Sequence, residues 1–162
     1  MRLLAAALCT LMMVAGSAGA QDKADRVVVQ KGARTLTLYR GAAVLKTYKI
    51  ALGWNPAGPK EQEGDGRTPE GVYVIDGRNA QSAYHRSLHV SYPNAGDRRR
   101  AARQRVRPGG AIMIHGLPNG MGALGAAHRL RDWTAGCIAV TDGEIEEIWR
   151  MVPNGTRIEI TP

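Results

Sequence analysis

The sequence predicts a mainly β domain with two short helices, and three observations carry that expectation. Short runs in which apolar and polar residues alternate recur along the chain. The segments between them are dense in Gly, Pro and charge, and only two stretches carry helix signals. No internal repeat is visible.

The amino terminus stands apart from that pattern. Met1 and Arg2 are followed by an apolar stretch over residues 3–14, and Ala18-Gly19-Ala20 closes it with a small-x-small cleavage pattern. Residues 1–20 read as a secretory signal peptide; a membrane-spanning helix needs about 20 apolar residues, more than this stretch supplies. Leu8 precedes Cys9 where a lipid-attachment signal would place a small residue, so no membrane anchor is expected. The expected mature chain, residues 21–162, is a single domain exported across the inner membrane to the periplasm or cell envelope. Its oligomeric state is open, with a monomer as the simpler expectation.

Residues 27–30, 35–39 and 44–52 read as strands joined by turns at Lys31-Gly32 and Arg40-Gly41, which makes a meander. The run over residues 53–71 is a long exposed connection, and loops of that length are more often binding elements than accidents. Thr68-Pro69-Glu70-Gly71 is a fixed turn that launches a strand over 72–75. A further short strand covers 87–91. His85 and His89 lie four apart around it, but on a strand that spacing separates them, and no carboxylate completes a zinc motif. His89 is expected on the substrate side of a site or in the core, and no metal is expected.

Six arginines crowd one segment, Arg98, Arg99, Arg100, Arg103, Arg105 and Arg107, with Asp97 placed to N-cap a helix carrying them. The chain carries a net charge of +8, lowered by one when Arg2 leaves with the leader. No aromatic residue is interleaved with the arginines, so there is no stacking platform for nucleic acid. Export makes an anionic envelope polymer the better partner, and a solvated helix face is the plainer reading of the cluster. Residues 111–114 form a buried strand that His115 closes. Thr141 and Glu144 offer a capping box, followed by the helical stripe Ile145, Ile148, Trp149 and Val152, and residues 156–161 alternate as the last strand.

Removing the leader also removes Cys9, leaving Cys137 as the only thiol of an exported protein, where cysteines usually pair. A thiol with a pKa of about 8.5 is mostly protonated at neutral pH unless a base or cation sits beside it. His115, fixed at a strand end, is the candidate base; His85 in a polar connection and His128 in a glycine-rich loop read as surface imidazoles. The Gly116 carbonyl is placed to orient the imidazole, and Gly136 allows a tight turn whose amides face a developing oxyanion. Cys137 and His115 are thus the candidate catalytic pair of an acyl-transfer site. An inert, buried Cys137 is the bland alternative.

His115-Gly116, Thr134-Ala135-Gly136-Cys137 and Thr68-Pro69-Glu70-Gly71 together resemble the L,D-transpeptidase catalytic domain, also called the YkuD domain, across residues 27–162. The resemblance implies a β-sandwich or curled mixed sheet with two short helices and a role in building and shaping the peptidoglycan wall. It further implies that Cys137 attacks the diaminopimelate carbonyl of a stem peptide, that His115 moves the proton, and that neither metal nor organic cofactor takes part. Ala135 stands where the family usually has histidine, and Ala139 where asparagine or arginine is usual. The Ala135 amide could still serve the oxyanion. The Asp132-Trp133-Thr134 lead-in looks like a distinct branch, with Trp133 and Thr134 as candidate substrate contacts and Trp133 equally suited to anchoring its loop. Three activities fit: a transpeptidase, a thiol amidase or peptidase hydrolysing stem peptides or wall-to-protein bonds, and a wall-binding protein with an inert Cys137.

Overall fold

The computed structural model describes residues 23–162; the expected leader over residues 1–20 lies outside the described residues. Strands β1 (Arg26–Gln30), β2 (Thr35–Arg40) and β3 (Ala43–Lys49) form the expected meander. It is followed by β4 (Gly71–Ser82), β5 (His85–Val90), helix α1 (Ala95–Arg103), β6 (Met113–His115), β7 (Ile138–Ala139), helix α2 (Asp142–Met151) and β8 (Arg157–Thr161). The strands make one curled mixed sheet in the order β3-β2-β1-β8-β4-β5-β6-β7. β1 with β8 and β6 with β7 are the parallel pairs.

Alternation explains how the sheet buries one face, since successive side chains of a strand point to opposite sides. Val27 and Val29 oppose Leu38 and Leu36 on one side and Ile158 and Ile160 on the other, and Tyr73 lies against Ile158. All of these are buried. β4 is shared: its first four residues pair with β8, and from Ile75 onward it pairs with β5 through two register shifts. Such irregularities bend and twist a strand, and here they carry the sheet round toward β6. α2 packs against β5 and β6, with Ile145 and Ile148 buried, so the end of the sheet bearing His115 rests on a helix.

Several boundaries differ from expectation. The strand expected at 72–75 runs on to Ser82, because the bulged pairing tolerates Gly77 and Asn79. The strand expected at 111–114 begins at Met113, since Ala111 has φ +54° and cannot lie in a strand. The helix over the arginines starts earlier than Asp97. Asn94 is the N-cap, accepting from the Gly96 and Asp97 amides, while Asp97 closes the capping box from inside and also accepts from the Tyr73 hydroxyl at 3.1 Å. The expectation of two helices falls short by one. The glycine-rich loop contains a 3-10 helix, Gly122–Leu130, kinked at Gly125 where φ is +46°.

The long connection is held from below by Lys31, 2% exposed, in the β1–β2 turn. Its ammonium donates to the carbonyls of Gly58 (2.6 Å) and Thr68 (3.0 Å) and pairs with Glu70 at 2.8 Å. Lys60 and Asp65, both well buried, close the middle of the connection at 2.7 Å, and Asp65 also accepts from the amides of Glu61, Gln62 and Arg67. Removing one partner of a buried ion pair is costly because the other charge stays desolvated. Lys31→Met is therefore expected to lower the unfolding free energy by about 3 kcal/mol, read as a lower urea midpoint; an unchanged midpoint would contradict the role given to Lys31.

Candidate active site

His115 ends β6 and is 3% exposed. Its Nδ1 lies 2.7 Å from the carbonyl oxygen of Gly116, an acceptor only, so Nδ1 carries the proton and Nε2 is left as the basic nitrogen. Gly116 is itself fixed: its amide donates to the Tyr84 and Arg86 carbonyls, and the Leu117 amide donates to Asp142 at 2.8 Å. A Cβ on Gly116 would lie 2.7 Å from Asp142 Oδ1, so a side chain there would push that carboxylate from the Leu117 amide it accepts from.

Cys137 is brought to the same place by the neighbouring pair of strands. Ile114 is in register with Ile138 and His115 with Ala139, and residues two apart on a strand share a face. Cys137 therefore projects from the face that His115 occupies, and both line a cavity of about 460 Å³ with Tyr84, Ser87, Met113 and Trp133. The cysteine loop is pinned to the long connection. Trp133 and Thr134 donate to the Leu52 carbonyl, Trp54 donates to the Thr134 carbonyl, and Gly53 donates to the Thr68 hydroxyl at 3.1 Å. Thr68, of the Thr-Pro-x-Gly turn, is fully buried and belongs to this seam.

Within the loop, the Thr134 hydroxyl donates to the Cys137 carbonyl at 2.7 Å and accepts from the Gly136 amide at 3.1 Å. Thr134 thus ties the turn together, and the Gly136 amide is already engaged. Among the described residues the amides of Ala135 and Cys137 have no such loop partner. Ala135, exposed, lines the cavity beside Cys137.

Burial sets the charge state. Desolvation pushes the Cys137 thiol above the ordinary cysteine value, opposed by a backbone hydrogen bond at Met113 and by the charge of Lys60. Desolvation likewise holds His115 below its ordinary 6.5, opposed by the Gly116 hydrogen bond. The free site at neutral pH holds a neutral thiol, bonded to the Ala111 carbonyl at 3.5 Å, and a neutral imidazole.

Trp133 stands edge-on to His115, ring centres 5.8 Å apart, and Tyr84 lies closer at 4.5 Å. Trp133 also walls a second, mostly apolar cavity of about 540 Å³ lined by Leu117, Met121, Leu124 and Leu130. His128 is not a surface imidazole. The 3-10 helix tucks it in, 7% exposed, where its Nδ1 accepts from the Trp133 indole at 3.4 Å. His85 instead binds Glu146 at 2.8 Å. His89 bonds to Asp76 and does not line the cysteine cavity. Tyr84, Ser87 and Asn79, which do line it, were missed by sequence reasoning. Ser87 was detectable, since a strand over 87–91 paired with β6 puts it opposite His115.

A model of the L,D-transpeptidase catalytic domain (YkuD) matches residues 24–160. The chain belongs to that family. It is 30% identical over 133 residues to YafK of Escherichia coli K12, covering 78% of this chain and 46% of that one. It is also 30% identical over 142 residues to YkuD of Bacillus licheniformis, covering 85% of this chain and 66% of that one. The chain thus spans about half to two-thirds of the length of these curated relatives. Among solved structures it resembles the helical cell shape determining protein Pgp2 of Campylobacter jejuni, with TM-score 0.65, 26% identity, 86% of this chain and 48% of that chain. The fold is shared with an L,D-transpeptidase of Mycobacterium smegmatis at TM-score 0.54 and 15% identity, over 86% of this chain and 59% of that one. No helix among the described residues is long and apolar enough to cross a membrane.

Gly136 offers a direct check on the loop. Its φ is +129°, and a Cβ there would lie 2.6 Å from the Arg67 carbonyl. Gly136→Ala should displace Cys137 and slow its acylation by a substrate-like thioester-forming probe at least tenfold, while circular dichroism shows the fold retained; an unchanged rate would show that the close approach does not matter.

Proposed function

We propose that the chain is a peptidoglycan L,D-transpeptidase acting through a thioester on diaminopimelate-containing stem peptides. The observation that carries this reading is a single cavity lined by both Cys137 and a His115 whose Nε2 is free to accept a proton. Family membership supports the substrate class.

In this reading the thiol proton passes to His115 Nε2 as sulfur attacks the diaminopimelate carbonyl. The carbonyl oxygen gathers negative charge, and the amides of Cys137 and Ala135 are the donors left to receive it. The intermediate collapses by breaking the peptide bond, and His115 returns the proton to the departing amine. An acceptor amine then attacks the thioester, losing a proton to His115, and the sulfur leaves as thiolate to be reprotonated. Trp133, edge-on to the imidazole, and Tyr84, tilted against it, keep the ring in place during these transfers. A signal-led route to the periplasm or envelope accords with this substrate and belongs to the same proposal.

Purified protein incubated with tetrapeptide muropeptides should release the terminal amino acid and, with an amine acceptor present, yield the cross-linked mass. Shortened peptide with and without acceptor would point instead to the hydrolase reading. No product together with no acyl-enzyme mass would overturn both. Cys137→Ala should abolish turnover, and His115→Ala should lower it roughly 10²- to 10⁴-fold, the range of a general base.

The pH profile follows from the neutral pair. A base held below 6.5 loses activity only as pH falls through that lowered value, and a thiol held above 9.0 stays protonated until pH rises beyond it. The kcat/KM plateau should therefore extend from below pH 6.5 to above pH 9.0. An acid limb lying above 6.5 would contradict the assignment of His115 as a desolvated base.

A further inference from the structure

The arginine cluster is not used by the site described above, and its geometry is more than a charged helix face. All six arginines are exposed. Arg100 pairs with Asp97, Arg107 pairs with Glu63 at 3.2 Å, and Arg98 caps the Pro93 carbonyl. Arg99, Arg103 and Arg105 have no side-chain partner among the described residues. Arg99 and Arg103 lie four apart on α1 and so share one side of it, and Arg105 follows where the chain turns with φ +56°. Cations concentrated in this way, against two carboxylates, raise the local concentration of anions.

The ridge also leads into the cysteine cavity. Arg107 accepts from the Glu63 amide at 2.8 Å, and the Pro108 carbonyl accepts from the Tyr92 hydroxyl at 2.9 Å, so the connection is tied down on both sides. Four residues beyond Arg107, Ala111 lines the cavity and its carbonyl holds the Cys137 thiol. Four residues span at most about 14 Å. The segment holding the arginines has no aromatic side chain; Ala101 is buried and Val106 half-buried, and the apolar residues left exposed, Ala95 and Ala102, are small. It therefore lacks the apolar face with which a helix enters a lipid interface, and the stacking surface that single-stranded nucleic acid uses.

We propose that the α1 arginine ridge docks the carboxylate-bearing peptide mesh of the cell wall and holds that polymer over the cysteine cavity. The identity of the polymer rests on the activity proposed above. Binding is electrostatic, through Arg99, Arg103 and Arg105, and separate from the chemistry at Cys137.

The test is sedimentation of the full chain, in a Cys137→Ala background, with purified sacculi at 50 mM and 500 mM salt, concentrations chosen because the screening length shrinks from beyond about 10 Å to a few Å between them. The expected result is retention at low salt, loss at high salt, roughly tenfold weaker retention for Arg99→Gln/Arg103→Gln/Arg105→Gln, and full retention for the matching triple Lys variant, which keeps the charge and controls for folding. Retention of the Gln variant equal to the parent, or indifference to salt, would overturn the proposal. Binding to phosphatidylglycerol vesicles without binding to sacculi would also overturn it, in favour of a membrane surface. Because turnover is not read, the outcome is independent of catalysis. Arginine-dependent retention by a protein that turns over no muropeptide would leave the docking surface standing and remove the activity.

Discussion

Two register pairs, Ile114 with Ile138 and His115 with Ala139, are the constraint from which the rest of the site follows. β7 is only two residues long, and a slip by one position would turn Cys137 to the opposite face of the sheet. Burial forbids the slip. Ile114 and Ile138 are completely buried in the core, Ala139 exchanges hydrogen bonds in both directions with Ala51, and Val140 donates to the His115 carbonyl. A short strand is held in place by neighbours on both flanks and by α2 behind them.

The second constraint is the seam between the cysteine loop and the long connection. A Cβ on Gly53 would lie 2.1 Å from the Gly66 carbonyl and 3.0 Å from Gly136 Cα, so the two loops meet backbone to backbone. Close approach of this kind leaves polar groups that need partners, and the buried hydroxyls of Thr68 and Thr134 and the ammonium of Lys31 supply them. The Thr-Pro-x-Gly turn is distant in sequence from Cys137 yet belongs to the packing that sets the height and tilt of its sulfur.

Much of this was legible in the residues. The β meander, the capped final helix and the last strand each follow from alternation or from a capping box, which are local signals. The placing of His115 at a strand end and of Cys137 in a glycine turn needed only the apolar run and the Gly136 step. What was not legible depended on tertiary contacts. The long β4 is sustained by pairing with two different strands along its length, which overrides Gly77 and Asn79. The 3-10 helix has no cap or stripe to mark it, and His128 is buried there because Trp133, five residues on, offers an indole N–H. His89 sits beside Asp76 through a bulged pairing that no periodicity encodes. The role of Thr134 as an internal tie could not be separated from substrate contact until both of its hydrogen bonds were visible.

For the exported enzyme proposed above, the uncharged resting state of the Cys137–His115 pair bears on its resistance to oxidation. Peroxides and foreign disulfides react with sulfur anions far faster than with S–H groups. A sulfur stored with its proton, under desolvation and against the Ala111 carbonyl, is chemically quiet toward such agents. In the mechanism proposed above, its nucleophilicity is released only when an electrophile settles within reach of both sulfur and imidazole, so durability against oxidation and selectivity for the docked acyl group would arise from the same burial.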